Sequence, residues 1–122
     1  MRIAVSAAGS EVSAPAEERF GRCAYFLVFN EQGELQEVID NQGSASAGGA
    51  GIRTTQLLLS NKIDVVLTGR VGPNAMSALS SGGMAVYAGV SGTVAETMEK
   101  YKDGQLEPLA LPNAQEHSGI KS

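Results

Sequence analysis

Three glycine-rich loops, each opening into a helical stretch, constrain this chain more than any other feature. They are Gly48-Gly49-Ala50-Gly51, Gly69-Arg70-Val71-Gly72-Pro73-Asn74 and Ser91-Gly92-Thr93. The second follows the apolar run Val65-Val66-Leu67, and the third follows Met84 to Ala88. Short apolar runs bounded by turn residues read as buried strands. Pro73 to Ser81 reads as a helix with proline in its first turn and Gly82-Gly83 at its end. Val94 to about Lys102 reads as another, with Thr93 as N-cap and Glu96 three residues on, a capping box. Asp103-Gly104 stops it. The first loop leads into a helix over Ala50 to Asn61, with Ile52, Leu57, Leu58 and Leu59 as its apolar positions.

The preceding third of the chain supplies a different pattern. Arg2 to Ser6 reads as a strand, and residues 7 to 19 as a polar loop. Ala24 to Asn30 and Leu35 to Asp40 read as a hairpin turned at Glu31-Gln32-Gly33. Residues 41 to 49 read as a flexible loop, and residues 107 to 122 as an irregular C-terminal tail after a single domain over 1–106. The strand–helix alternation requires parallel crossovers, while the hairpin adds an antiparallel piece. The expected fold class is therefore α/β, a mixed five-stranded sheet with helices on its faces.

With 122 residues the chain suits one core. Its 43% hydrophobic and 18% charged residues exclude a disordered chain, and its apolar runs are too short to span a bilayer. A net charge of −4 argues against generic nucleic-acid binding. One cysteine excludes an internal disulfide and a multi-thiolate zinc site. Met1 leads straight into strand-like sequence without a signal-peptide core, so a cytoplasmic protein is expected.

The chemistry collects at one edge. Loops that follow parallel strands open at the strands' carboxyl ends, where open α/β sheets place ligands. Helix starts offer unpaired N–H groups and partial positive charge, and glycine lets a ligand approach the backbone. A strand from Ala24 paired antiparallel to the first strand would bring Arg19-Phe20-Gly21-Arg22-Cys23 to the same edge. Arg19, Arg22, Arg53 and Arg70 are four of the five arginines, and all lie in or beside these loops. Their paired donors suit multi-oxygen anions. Cys23 reads first as a small buried hydrophobe; the alternative is that Arg22 beside it lowers its thiol pKa and makes it available to a metal. His117, the only histidine, reads as a solvated tail residue.

Catalytic motifs fail. Gly49-Ala50-Gly51-Ile52-Arg53-Thr54 departs from a dinucleotide fingerprint at Thr54, and no acidic residue ends the next strand. There is no P-loop and no nucleophile elbow. Cys23 and the serines lack a histidine base. Asp64 is at the wrong end of its strand for a metal-dependent nuclease. The chain is not expected to be an enzyme.

The ordered set Phe20-Gly21-Arg22-Cys23-Ala24-Tyr25-Phe26, Gly48-Gly49-Ala50-Gly51-Ile52, Ile63 to Ala75, Val86-Tyr87 and Ser91-Gly92-Thr93-Val94 resembles the dinitrogenase iron-molybdenum cofactor biosynthesis family over residues 1 to 106. The resemblance implies a ribonuclease-H-like three-layer fold, with sheet order 3-2-1-4-5, strand 2 antiparallel and helices on both faces. It also implies a small carrier for an anionic iron-sulfur or molybdenum-containing cluster, or for a metallate, working with cofactor-assembly or acceptor proteins. Cluster-binding relatives often carry histidine before the Phe-Gly-Arg segment or before the first helix. Here those places hold Arg19 and the histidine-free run Asn41 to Gly49. Arg19, Gly21, Arg22, Gly49, Gly51, Arg70, Gly72, Asn74 and Thr93 are the expected cargo-binding residues, with Cys23 as the metal ligand. A monomer is expected, with no nucleic-acid or membrane partner. The rival expectation is a metal-independent module that binds a phosphorylated metabolite or a partner protein through the same arginines and glycines.

Overall fold

The computed structural model describes residues 1–41 and 49–113. Gly48, the rest of the run 42–48, and His117 lie outside the described residues. The elements are β1 (Ile3–Ala7), β2 (Tyr25–Phe29), β3 (Leu35–Asp40), α1 (Ala50–Ser60), β4 (Val65–Leu67), α2 (Pro73–Ser81), β5 (Ala85–Ala88), α3 (Val94–Lys102) and β6 (Glu107–Pro108). They form one mixed open sheet of order β3-β2-β1-β4-β5-β6. β1 lies antiparallel to β2 and parallel to β4, and β4 lies parallel to β5.

The expected order 3-2-1-4-5 is present and is extended by a sixth strand. Tyr87 pairs with Pro108 and Ala88 with Glu107, antiparallel, in the part of the chain read as irregular tail. A two-residue Glu-Pro strand has no sequence period to reveal it. Proline is tolerated there because an edge strand need not donate on its outer side. Leu106 is buried, and the Leu109 N–H donates to the Val86 carbonyl at 2.8 Å, so the segment is tied down on both sides of the strand.

Alternation along β1 divides the core. Ala4 faces one side, with Phe26, Val28, Val66 and Val86, under Leu58 of α1 and Ala75, Met76 and Leu79 of α2. Ile3, Val5 and Ala7 face the other, with Leu27, Phe29, Val65 and Leu67, under Val94 and Met98 of α3. The period of two thus makes a three-layer fold, with two helices on one face and one on the other. β3 is an edge strand and buries only Ile39.

Candidate functional site

β1, β4 and β5 run parallel, so the connections that follow them open at one end of the sheet. The connection after β1 crosses that end as a rail and touches the loops before α2 and α3 and the first turn of α1. Ala16 N–H donates to the Gly92 carbonyl at 2.9 Å. Arg70 N–H donates to the Glu18 carbonyl at 2.5 Å, and Phe20 N–H donates back to the Arg70 carbonyl at 3.1 Å. A Cβ added to Gly21 would stand 3.0 Å from the Gly51 nitrogen in α1. The rail is fixed to the sheet beneath it. Glu17 N–H donates to the Ser6 carbonyl, and the buried Ser6 hydroxyl lies 3.0 Å from that of Thr68. Arg19, Gly21, Arg22, Gly49, Gly51, Arg70, Gly72, Asn74 and Thr93 are thereby placed along one edge.

Their surroundings differ. Gly21 and Gly51 are small because backbones meet there; a Cβ on Gly51 would come within 2.8 Å of the Ala75 Cβ in α2. Gly49 is of another kind: its φ of 70° is left-handed, and open space surrounds the position its Cβ would take. Gly49 and Gly72 are the N-cap residues of α1 and α2, and neither supplies a side-chain cap hydrogen bond. Asn74 is exposed on the first turn of α2.

The start of α3 does not behave as expected. Thr93 N–H donates to the Glu96 carboxylate at 2.9 Å, and Glu96 N–H donates to the Thr93 hydroxyl. Val94 and Ala95 N–H groups donate to the rail carbonyls of Ala14 and Val12. The protein's own oxygens therefore occupy the donors that Thr93 and its neighbours were expected to offer an anion. The same contacts hold the Glu96 carboxyl below the usual carboxylate range.

The arginines are exposed but not bare. Glu17 faces Arg19 through both oxygens, at 3.0 and 3.3 Å, and this pairing holds its carboxyl below the usual range. Arg70 Nη2 donates to Glu18 at 2.8 Å. Arg22 is exposed on the rail, and Arg53 is exposed on α1.

Cys23 is fully buried. Its Sγ lies 3.4 Å from the Phe20 carbonyl, in the same core cluster as the tilted ring pair Phe20–Phe26. The expectation that Arg22 would lower its pKa is not met: burial pushes the thiol up to about 12. In this conformation it is a core residue, and reaching a metal at the edge would require the Phe20–Ala24 turn to open. Among the described residues, no group of three His, Cys, Asp or Glu side chains could hold a metal ion.

Four residues shape this edge without a sequence signal. Asn41, 2% exposed, donates to the carbonyl of Cys23 at 2.8 Å and accepts from the Thr54 hydroxyl, tying the rail to α1. Asn113 clasps the loop before α2 from the far side. Its amide accepts from Val71 N–H at 2.8 Å and donates to the Gly69 carbonyl at 2.7 Å, and its own N–H donates to the Val71 carbonyl. Glu17 and Glu18 are the other two. No periodicity or motif marks an isolated polar residue whose partner lies elsewhere in the chain, although glutamates beside arginine hint at pairing.

A cavity of about 520 Å³ lies away from these loops, where Ile3, Tyr87, Tyr101 and Leu106 meet. Among the described residues, no helix is long and apolar enough to cross a membrane.

Comparison with known proteins supplies the context. The chain is similar to the apo form of the orange protein from Desulfovibrio gigas, with 37% identity, a TM-score of 0.86, and coverage of 92% of this chain and 95% of that one. It is also similar to a NifB-like protein from Thermotoga assigned to the DUF35 family, with 34% identity, a TM-score of 0.78, and coverage of 89% and 93%. An uncharacterised protein of Methanocaldococcus jannaschii is 28% identical over 91 residues, 72% of this chain and 77% of that protein. The family model for the dinitrogenase iron-molybdenum cofactor matches residues 1–104, and the chain belongs to that family.

Proposed function

We propose that this chain is a non-enzymatic carrier that holds an anionic metal cluster or metallate, as cargo, at the loop edge. The observation that supports the reading is the rail: it carries Arg19 and Arg22 and crosses the loop that holds Arg70, at the sheet end where α1 and α2 begin from glycine N-caps. The family name and the similarity to an orange protein and a NifB-like protein support it.

The physics is that of anion recognition. Guanidinium groups present paired donors to oxygen or sulfur atoms of a metallate. The first turns of α1 and α2, entered through Gly49 and Gly72, add oriented N–H groups and partial positive charge. Cys23 stays in the core, so the cargo is held by charge and hydrogen bonds and can be released intact to a cofactor-assembly or acceptor protein. Such holding is reversible, as delivery requires.

The test is metal analysis and an absorption spectrum of protein purified anaerobically, and again after supply of molybdate with iron or copper and sulfide. Stoichiometric metal with visible bands is the expected result. Arg70→Ala should weaken binding about tenfold, the worth of one hydrogen bond to a charged group. Cys23→Ala should bind as the unaltered protein does. Absence of metal under every condition would sink the reading. The enclosed thiol and the uncapped helix starts favour one second reading, a module for a phosphorylated metabolite. Thermal stabilisation by phosphate compounds but by no metallate would select it.

A further inference from the structure

We propose that Glu17 and Glu18 are built-in competitors for the cargo: they occupy Arg19 and Arg70 in the empty protein and admit only anions of more than one charge. This rests on the reading of the edge as an anion-carrying site. The pairs are constructed rather than incidental. Glu17 is held through its backbone, its N–H on the Ser6 carbonyl and its carbonyl accepting from the Ser6 hydroxyl at 2.5 Å. Its side chain is only 18% exposed, against 61% for Arg19. Glu18 is lodged where the rail crosses the loop before α2. A Cβ on Gly69 would fall 2.4 Å from the Glu18 Cβ, so glycine there lets the two strands of chain close. The paired hydrogen bonds between Glu18, Arg70 and Phe20 then fix the Glu18 carboxylate beside the Arg70 guanidinium.

The consequence follows from charge. Arg19 on the rail and Arg70 at its crossing each carry one positive charge, and Glu17 and Glu18 offset them pair by pair. A singly charged anion entering the edge exchanges one monoanion for another at the guanidinium and gains little. A dianion or a larger cluster attracts the arginines more strongly than each carboxylate does, and displaces it. The Glu18–Arg70 pair is open to solvent on both sides, where such ion pairs are weak and exchange readily, while in the other pair only Arg19 is exposed. The competitors therefore set a charge requirement without trapping the arginines.

The experiment uses two tetrahedral anions of like shape, molybdate with two charges and perrhenate with one. The full chain and its Glu17→Gln/Glu18→Gln form are titrated with each, followed by amide chemical shifts, which also report whether the fold is kept. The double variant should bind molybdate about tenfold more tightly, about threefold from each carboxylate. It should also bind perrhenate, which the unaltered chain ignores. Glu18→Gln alone, at a site 57% exposed, should give about half the logarithmic gain. Equal molybdate affinity in both proteins overturns the competition and leaves the carrier reading standing. Weaker binding in the variant overturns it as well, because the carboxylates would then be positioning the arginines. If neither protein binds molybdate, the carrier reading falls and takes the competition with it.

Discussion

α2 and α3 both follow a parallel strand and a glycine-bearing loop, yet they begin in opposite ways. α3 has a complete capping box, and its next two N–H groups are taken by carbonyls of the rail. α2 begins at Gly72 and α1 at Gly49, neither with a side-chain cap. A glycine loop before a helix is thus no sign of a ligand by itself. Where a side-chain cap and a crossing segment reach the helix start, the protein is its own ligand. At α1 and α2 the rail also passes close by, but among the described residues no side-chain cap is present.

That contrast can be attacked first at its scaffold. Gly51→Val would drive α1 from α2 at the Ala75 contact and should cost about 3 kcal/mol in urea unfolding, the usual size of overpacking in a closed core. Anion binding should fall with it. Thr93→Ala comes next. Removing the α3 cap should cost about 1.5 kcal/mol and leave molybdate affinity unchanged. A large loss of affinity there would erase the distinction between the helix starts. Asn113→Ala should cost about 1 kcal/mol or less and speed amide exchange at Val71, because the clasp on the loop before α2 is gone. Anion affinity should drop modestly while α3 is unaffected. The smallest effect is in pH. The Glu17 and Glu96 carboxyls are held below their ordinary value of 4.5 in the folded chain. Their stabilisation is present above that value and is lost as pH falls through the folded pKa. The melting temperature should therefore decline from about pH 5 to about pH 3, less steeply in Glu96→Gln.

Much of the architecture was legible because it depends on local pattern. The short strand Val65–Leu67, the proline-initiated α2 and the Thr93–Glu96 box are each written in consecutive residues. The sheet order followed from the family resemblance, and the convergence of the loops followed from parallel crossovers. What escaped depends on partners distant in sequence. Asn113 meets the 69–71 loop across more than forty residues, and Glu18 meets Arg70 across fifty-two. β6 escaped because two residues carry no period, and its stability comes from Leu106 and Leu109 on either side. Gly21 and Gly51 read in sequence only as points of ligand approach, and the close backbone approach between them needs the folded structure to be seen. Cys23 misled for a related reason: its neighbour in sequence is a cation, but its neighbours in space are Phe20 and Asn41.

The placement of that one sulfur has a consequence for survival in air. Under the proposed carrier function the chain would work among oxidants, persulfides and loose metal ions, each of which attacks an accessible thiolate. With Cys23 protonated and sealed, the folded chain cannot be cross-linked to a second copy, capped by glutathione or scavenged by stray copper unless it first opens. The rate at which a thiol reagent labels Cys23 then becomes a clock for how often the rail lifts from the sheet.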